Sequence, residues 1–268
     1  MSELALPEPT FARTVRGSGP GLLLAHGAGG SIAANYGPIL NGLAAEHTVV
    51  GVDYPGTGNT PRATSPLSLD ELADQVVAAG VAEGLGSFAV AGYSVGTAVA
   101  LRAATRHPER VAALLLTAPF AQPDARLRLS ANLWRDLHVS GDHAQLASFL
   151  ILATLSPSAL EAVPANDLGA VLHAAAQTLP PGTAEHAELT ARIDVRADLA
   201  RVSVPTLVVS TTEDLLVSPA LHRTVAAGIA GAELAELATG HLPFSERPDE
   251  WLQLIAAFLR KTAHQDGS

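Results

Sequence analysis

The stretch from Ser87 to Leu101, Ser-Phe-Ala-Val-Ala-Gly-Tyr-Ser-Val-Gly-Thr-Ala-Val-Ala-Leu, admits few folds. Its first half is apolar and β-prone, its second half is small and helix-compatible, and Gly92-Tyr93-Ser94-Val95-Gly96 joins them. A serine at the tip of a tight strand-to-helix turn takes a strained backbone conformation, so its neighbours two residues away must be small. Such a turn lifts Oγ clear of a sheet, and the helix N-terminus behind it favours developing negative charge. Five letters alone also match a glycine-rich loop with an idle serine. The strand before and the helix after are what point to a nucleophile.

The flanking chain predicts an alternation of strands and helices. Thr10 to Arg16 reads as an edge strand closed by a glycine-rich turn. Leu22-Leu23-Leu24-Ala25 is the continuous apolar run that a strand buried on both faces needs. It ends in His26-Gly27-Ala28-Gly29-Gly30, whose glycines let backbone N–H groups point into open space. A helix from Tyr36 to Glu46, a strand from Thr48 to Asp53 and a turn-rich loop to Pro61 follow. Ser68 and Glu71 have capping-box spacing and open a helix to about Glu83. Strand Phe88 to Tyr93, helix Ser94 to His107 (stopped by Pro108) and strand Val111 to Leu116 complete a run that predicts a parallel sheet covered on both faces.

From Phe120 to Val202 the strand-like runs vanish. Helical segments are predicted at 127–137, 143–155, 158–161, 168–177 and 183–193, punctuated by Pro157, Pro164, Pro180 and Pro181. A gap of roughly 80 residues is too long for an ordinary connection. The reading is therefore a helical cap, 120–202, inserted into a core formed by 1–119 and 203–268. The sheet resumes with Thr206 to Ser210, a helix from Pro219 to about Ala227 and a last strand, Glu233 to Leu237. A closing helix is predicted from Ser245 to Lys261, with Trp251, Leu254, Ile255 and Phe258 on one face, before a frayed polar tail, His264 to Ser268.

Composition narrows the partners. With 16 basic against 26 acidic residues and a net charge of −10, nucleic acid and anionic membranes are not expected partners, and a small-molecule substrate is. The absence of cysteine removes disulfides and thiolate chemistry. The ten histidines lack metal-binding spacing, so neither a metal nor another cofactor is expected. No run reaches the roughly 18 apolar residues of a membrane span, and Met1 to Pro20 lacks a signal-peptide core, so a soluble cytoplasmic protein is expected.

A serine hydroxyl needs a base within hydrogen-bond reach and a group to orient that base. Both should be presented where the C-terminal strand ends gather. His241 follows the last strand and Asp214 the one before it, so the order is Ser94, Asp214, His241. Taken singly, Asp214 also fits a helix N-terminal carboxylate and His241 a packing histidine. Asp124 and Glu213 are alternative acids. His26 precedes the serine in the chain, His107 reads as a helix C-terminal cation, and Asp53 as a residue shaping its own turn.

With these residues in view, the sequence resembles a cap-containing member of the α/β-hydrolase superfamily over nearly its whole length. The resemblance rests on His26-Gly27, on Asp53-Tyr54-Pro55-Gly56-Thr57-Gly58, on Gly92 to Gly96, on Thr211 to Pro219, and on Gly240-His241 with Glu246 to Pro248. It implies an α/β fold, a mostly parallel doubly wound sheet with an inserted helical cap. It further implies an oxyanion hole formed by the N–H of Val95 plus that of Ala28 or Gly29. Epoxide hydrolases and haloalkane dehalogenases of the superfamily carry aspartate where this chain has Ser94, so serine implies acyl chemistry. The cap is rich in Ala, Leu and Val, and Trp134, Phe149, Leu152 and Leu155 are its candidate pocket walls. His26, Tyr93 and Leu242 complete the substrate-binding candidates. The expected activity is cleavage of a small, mostly apolar carboxylic ester, lactone or thioester through an acyl-enzyme. Two other classes fit the same scaffold: a cofactor-free non-hydrolytic or carbon–carbon-cleaving enzyme, and a ligand-binding receptor that keeps the triad.

Overall fold

The structure, a computed structural model, describes residues 6–265. The predicted tail falls largely outside them, as does the start of the N-terminal segment. Strands β1 (Arg13–Arg16), β2 (Gly21–Ala25), β3 (Thr48–Val52), β4 (Phe88–Tyr93), β5 (Val111–Thr117), β6 (Thr206–Thr211) and β7 (Glu233–Leu237) form one sheet in the order β1-β3-β2-β4-β5-β6-β7. All neighbours are parallel except β1 against β3.

Alternation along the buried strands divides the core into two layers. Leu22, Leu24, Ala89, Ala91 and Leu115 face α1 (Ile32–Ala44) and α12 (Pro248–Gln265), which contribute Ile32, Tyr36, Ile39, Trp251, Ile255 and Phe258. Leu23, Val50, Val90, Leu114 and Val208 face α2 (Leu69–Ala82) and α3 (Val95–Arg106), which contribute Leu72, Val76, Ala98 and Val99. Arg102 and Arg106 of α3 pair with Asp70 and Asp74 of α2, tying these two helices side by side.

Between β5 and β6 the chain forms α4 (Ala125–Val139), α5 (His143–Thr154), α6 (Pro157–Glu161), α7 (Leu168–Gln177), α8 (Thr183–Arg192) and α9 (Arg196–Leu199). Helix α10 (Pro219–Gly228) joins β6 to β7. No helix among the described residues is long and apolar enough to cross a membrane.

Most element boundaries fall within a residue or two of expectation; helix α9 is an additional element, and α1, β1 and the closing helix depart further. Helix α1 starts at Ile32 rather than Tyr36, because Ser31 caps it by accepting from the Ala34 N–H. Strand β1 is confined to Arg13–Arg16. The closing helix is two pieces, α11 (Pro243–Glu246) and α12, broken at Arg247 (φ −144°, ψ 59°) because a residue preceding proline is pushed out of the helical region.

Candidate active site

Ser94 lies at the corner between β4 and α3 with φ 52° and ψ −120°, a region that residues with a Cβ rarely occupy. The surroundings hold it there. Its N–H donates to the Thr117 carbonyl of β5 at 2.9 Å, and its carbonyl accepts from Thr97 Oγ1 at 2.6 Å. Gly92 and Gly96 meet across the corner, and a Cβ on Gly92 would overlap the Gly96 carbonyl. Strain of this kind persists only where packing over-determines it.

Asp214 and His241 follow β6 and β7 and reach the same sheet edge. His241 Nε2 is 3.0 Å from Ser94 Oγ, and Nδ1 is 2.6 Å from Asp214 Oδ2. The Asp214 carboxylate is fixed by the Leu216 and Val217 N–H groups, at 2.9 and 2.8 Å, and by the Thr211 hydroxyl at 2.9 Å. A carboxylate only accepts, so Nδ1 of His241 carries the proton and the Nε2 lone pair faces Ser94. The His241 backbone is held too. Its N–H donates to the Thr154 carbonyl at 2.6 Å, and its carbonyl accepts from Tyr93 Oη at 2.8 Å. Burial, reinforced by the Asp214 charge, pushes the Tyr93 phenol well above its ordinary range and keeps it a donor.

A cavity of about 320 Å³ opens over Ser94 and His241. Tyr93, Trp134 and Leu242 line it, together with Phe120, Leu127 and Ile151. Four candidates do not line it. His26 is fully buried, donating from Nδ1 to the Gly27 carbonyl at 2.7 Å, accepting the Tyr54 N–H at Nε2 at 2.9 Å and stacking on the Tyr54 ring. It shapes the turn rather than touching a substrate. Helix α5 presents Leu150, Ile151 and Thr154 to the cavity, so its 3.6-residue period turns Phe149 and Leu152 away. Phe149 packs into the cluster around Trp134 and Leu146, and Leu152 is 62% exposed. Leu155 falls in a separate surface groove beside Ala238 and Glu246.

One of the expected oxyanion donors is also committed elsewhere. The Gly29 N–H donates to His186 Nδ1 at 3.1 Å, so Gly29 cannot offer that hydrogen to a substrate. Gly27 donates to Asn35 Oδ1 at 3.0 Å and Gly30 to the Gly27 carbonyl at 3.2 Å. Among the described residues, the N–H groups of Ala28 and Val95 have no protein acceptor. The other weighed residues have structural partners. Asp124 caps α4 through the Leu127 N–H, Asp53 accepts from Ile32, and His107 bonds Asp74.

His186, Asn35 and Thr211 are the site residues that sequence reasoning missed. No local pattern marks His186: its partners Gly29 and Pro55 lie 157 and 131 residues away. A further buried histidine, His222, stands behind the acid, with Nδ1 3.1 Å from Ser210 Oγ and Nε2 3.9 Å from Asp214 Oδ2.

Burial, with the neighbouring His186, lowers His26 to about 3, and burial outweighs the Asp214 charge to lower His222 to about 4. Both rings are therefore neutral in the fold. The stability this contributes is complete above pH 6.5, the ordinary imidazole value, and is lost as pH falls from there towards those depressed values. Each ring should then contribute a slope of about 1.4 kcal/mol per pH unit. Urea unfolding between pH 6.5 and 5, above the range where exposed carboxylates titrate, should show the fall. A flat profile would mean that these imidazoles are already charged or exposed.

A family model described as the alpha/beta hydrolase fold matches residues 20–248. Pyrrolizixenacetamide deacetylase from Xenorhabdus hominickii is 33% identical over 261 residues, 97% of this chain and 98% of that protein. RutD of Azorhizobium caulinodans, provisionally named a carbamate hydrolase, is 30% identical over 252 residues, 91% of this chain and 92% of that protein. Among solved structures, the α/β-hydrolase MGS-M2 from a Medee basin deep-sea metagenome library has a TM-score of 0.85 at 17% identity, covering 93% of this chain and 94% of that one. The chain belongs to the α/β-hydrolase family.

Proposed function

We propose that this protein is a serine hydrolase that cleaves the acyl–oxygen or acyl–nitrogen bond of a small, mostly apolar substrate. The observation that carries the reading is the hydrogen-bonded chain Asp214–His241–Ser94 opening onto an apolar cavity. Ser94 Oγ attacks the carbonyl carbon while its proton passes to His241 Nε2. The N–H groups of Val95 and Ala28 receive the developing oxyanion, and Asp214 stabilises the imidazolium. Collapse expels an alcohol or amine protonated by His241. Water, deprotonated by the same nitrogen, then releases the acid from the acyl-enzyme and restores Ser94. The relatives named as a deacetylase and a carbamate hydrolase support testing amides and carbamates beside the esters, lactones and thioesters suggested by sequence.

The test is labelling with a fluorophosphonate probe, run on the parent and on Ser94→Ala. Labelling of the parent alone is the expected result. Substrate choice is then read from a matched panel of short aryl esters, anilides and carbamates. A folded parent that neither labels nor turns over p-nitrophenyl acetate would overturn the reading.

A further inference from the structure

We propose that His186, on helix α8 of the insertion, is a positioning residue that selects which N–H of the Gly27–Gly30 turn faces the substrate oxygen. The oxyanion hole is then complete only while α8 is docked. The inference rests on the serine-hydrolase reading above and adds to it a residue outside the triad and the nucleophile corner.

The geometry is specific. His186 Nε2 lies 3.0 Å from the Pro55 carbonyl, which can only accept, so Nε2 carries the proton. Nδ1 is then a lone pair, and it receives the Gly29 N–H at 3.1 Å. One neutral tautomer satisfies both bonds. The ring is 1% exposed and lies beside His26 and Tyr54, at centroid separations of 6.2 and 6.1 Å. On its own helix, Glu185 is paired with Arg62. Burial holds the imidazole below its ordinary value, which keeps Nδ1 an acceptor at neutral pH.

The consequence for the turn follows by counting donors. Gly27, Gly29 and Gly30 each give their N–H to a protein acceptor, leaving that of Ala28. The Gly29 N–H belongs to the Ala28–Gly29 peptide, for which His186 is the acceptor, while the preceding peptide, which carries the Ala28 N–H, is held at the Gly27 carbonyl by Gly30 and His26. Removing that acceptor frees the Ala28–Gly29 peptide to rotate at glycine, which releases the Gly29 N–H towards the cavity and shifts the turn that carries the Ala28 donor; misplacing a catalytic donor by about 1 Å costs on the order of 10² in rate. The helix carrying His186 is itself anchored, since Gly182 N–H donates to the Gly56 carbonyl at 3.0 Å.

Two substitutions separate the roles of the two ring nitrogens. His186→Asn keeps an acceptor near the Nδ1 position, whereas His186→Gln keeps a donor near the Nε2 position and loses the acceptor. With p-nitrophenyl acetate at pH 8, His186→Gln should lower kcat by about 10–10²-fold with KM within about threefold. His186→Asn should stay within about threefold of the parent. Hydrogen exchange at the Gly29 amide supplies a readout apart from activity: protected in the parent and His186→Asn, fast in His186→Gln. If either variant does not fold, the parent alone still decides, through a 15N coupling across the Gly29 N–H to His186 Nδ1 bond. A His186→Gln enzyme with parental kcat and a protected Gly29, equal losses in both variants, or absence of that coupling would each overturn the proposal. Loss of Ser94-dependent hydrolysis in the parent would instead overturn the reading on which it rests.

Discussion

His241→Ala should lower kcat by about 10⁶-fold, the scale seen when a triad base is removed from a serine hydrolase. The expectation follows from the bonding of the ring. Nε2 is the only base within hydrogen-bond reach of Ser94 Oγ among the described residues. With the ring gone, the hydroxyl must ionise at its own unfavourable pKa. The backbone anchors survive the change, because the His241 N–H still reaches Thr154 and its carbonyl still receives Tyr93 Oη. Circular dichroism and thermal unfolding should therefore report a folded protein. Residual activity should not be zero, since Val95 and Ala28 would still polarise a bound carbonyl. A loss of less than about 10²-fold would remove His241 from the role of base.

The second large effect concerns folding. Gly96→Ala should destabilise the protein by roughly 3 kcal/mol, at the upper end of what overpacking costs. A Cβ at that position would overlap the carbonyl of Ala25 and crowd that of His26, and neither can yield as a flexible side chain would. Both carbonyls belong to the end of β2, where the chain enters the Gly27–Gly30 turn, so relief of the clash would displace that turn. A control with opposite sign is available in α7. Gly169 has open space where its Cβ would stand, and Gly169→Ala should be stabilising by up to about 1 kcal/mol. Urea unfolding of the two variants beside the parent checks both signs. A neutral Gly96→Ala would mean that the approach of α3 to β2 is looser than described.

Local patterns made the sheet legible. Strands β2 to β6 are buried almost throughout and read as short apolar runs, β7 is a largely exposed edge strand, and Ser94, Asp214 and His241 stand just past the ends of β4, β6 and β7. Their meeting at one edge is a property of parallel topology, which the strand–helix alternation predicts. What sequence could not register was phase and distance. A helix period identifies α5, but choosing Leu150 and Ile151 over Phe149 and Leu152 requires knowing which side the sheet lies on. Gly29 and Ala28 are equivalent as letters, and only a histidine 157 residues away distinguishes their N–H groups. Glycines near a turn identify candidate donors, while the partners that occupy those donors come from the far end of the chain.

The helical segment between β5 and β6 is attached to the loops at the C-terminal edge of the sheet along two seams. At one, Thr154 accepts from His241, and the Glu246 carboxylate receives both Ser156 N–H and Gly240 N–H. At the other, Gly182 and His186 engage Gly56, Pro55 and Gly29. The residues between these seams form α6 and α7, neither of which buries a residue, yet Ala175, Thr178 and Leu179 reach the cavity. Stretch 157–181 is thus framed by fixed ends and, Leu179 against Trp134 and Leu146 apart, lies outside the packed core. Substitutions within that stretch would alter what the cavity admits without removing a hydrogen bond at either seam.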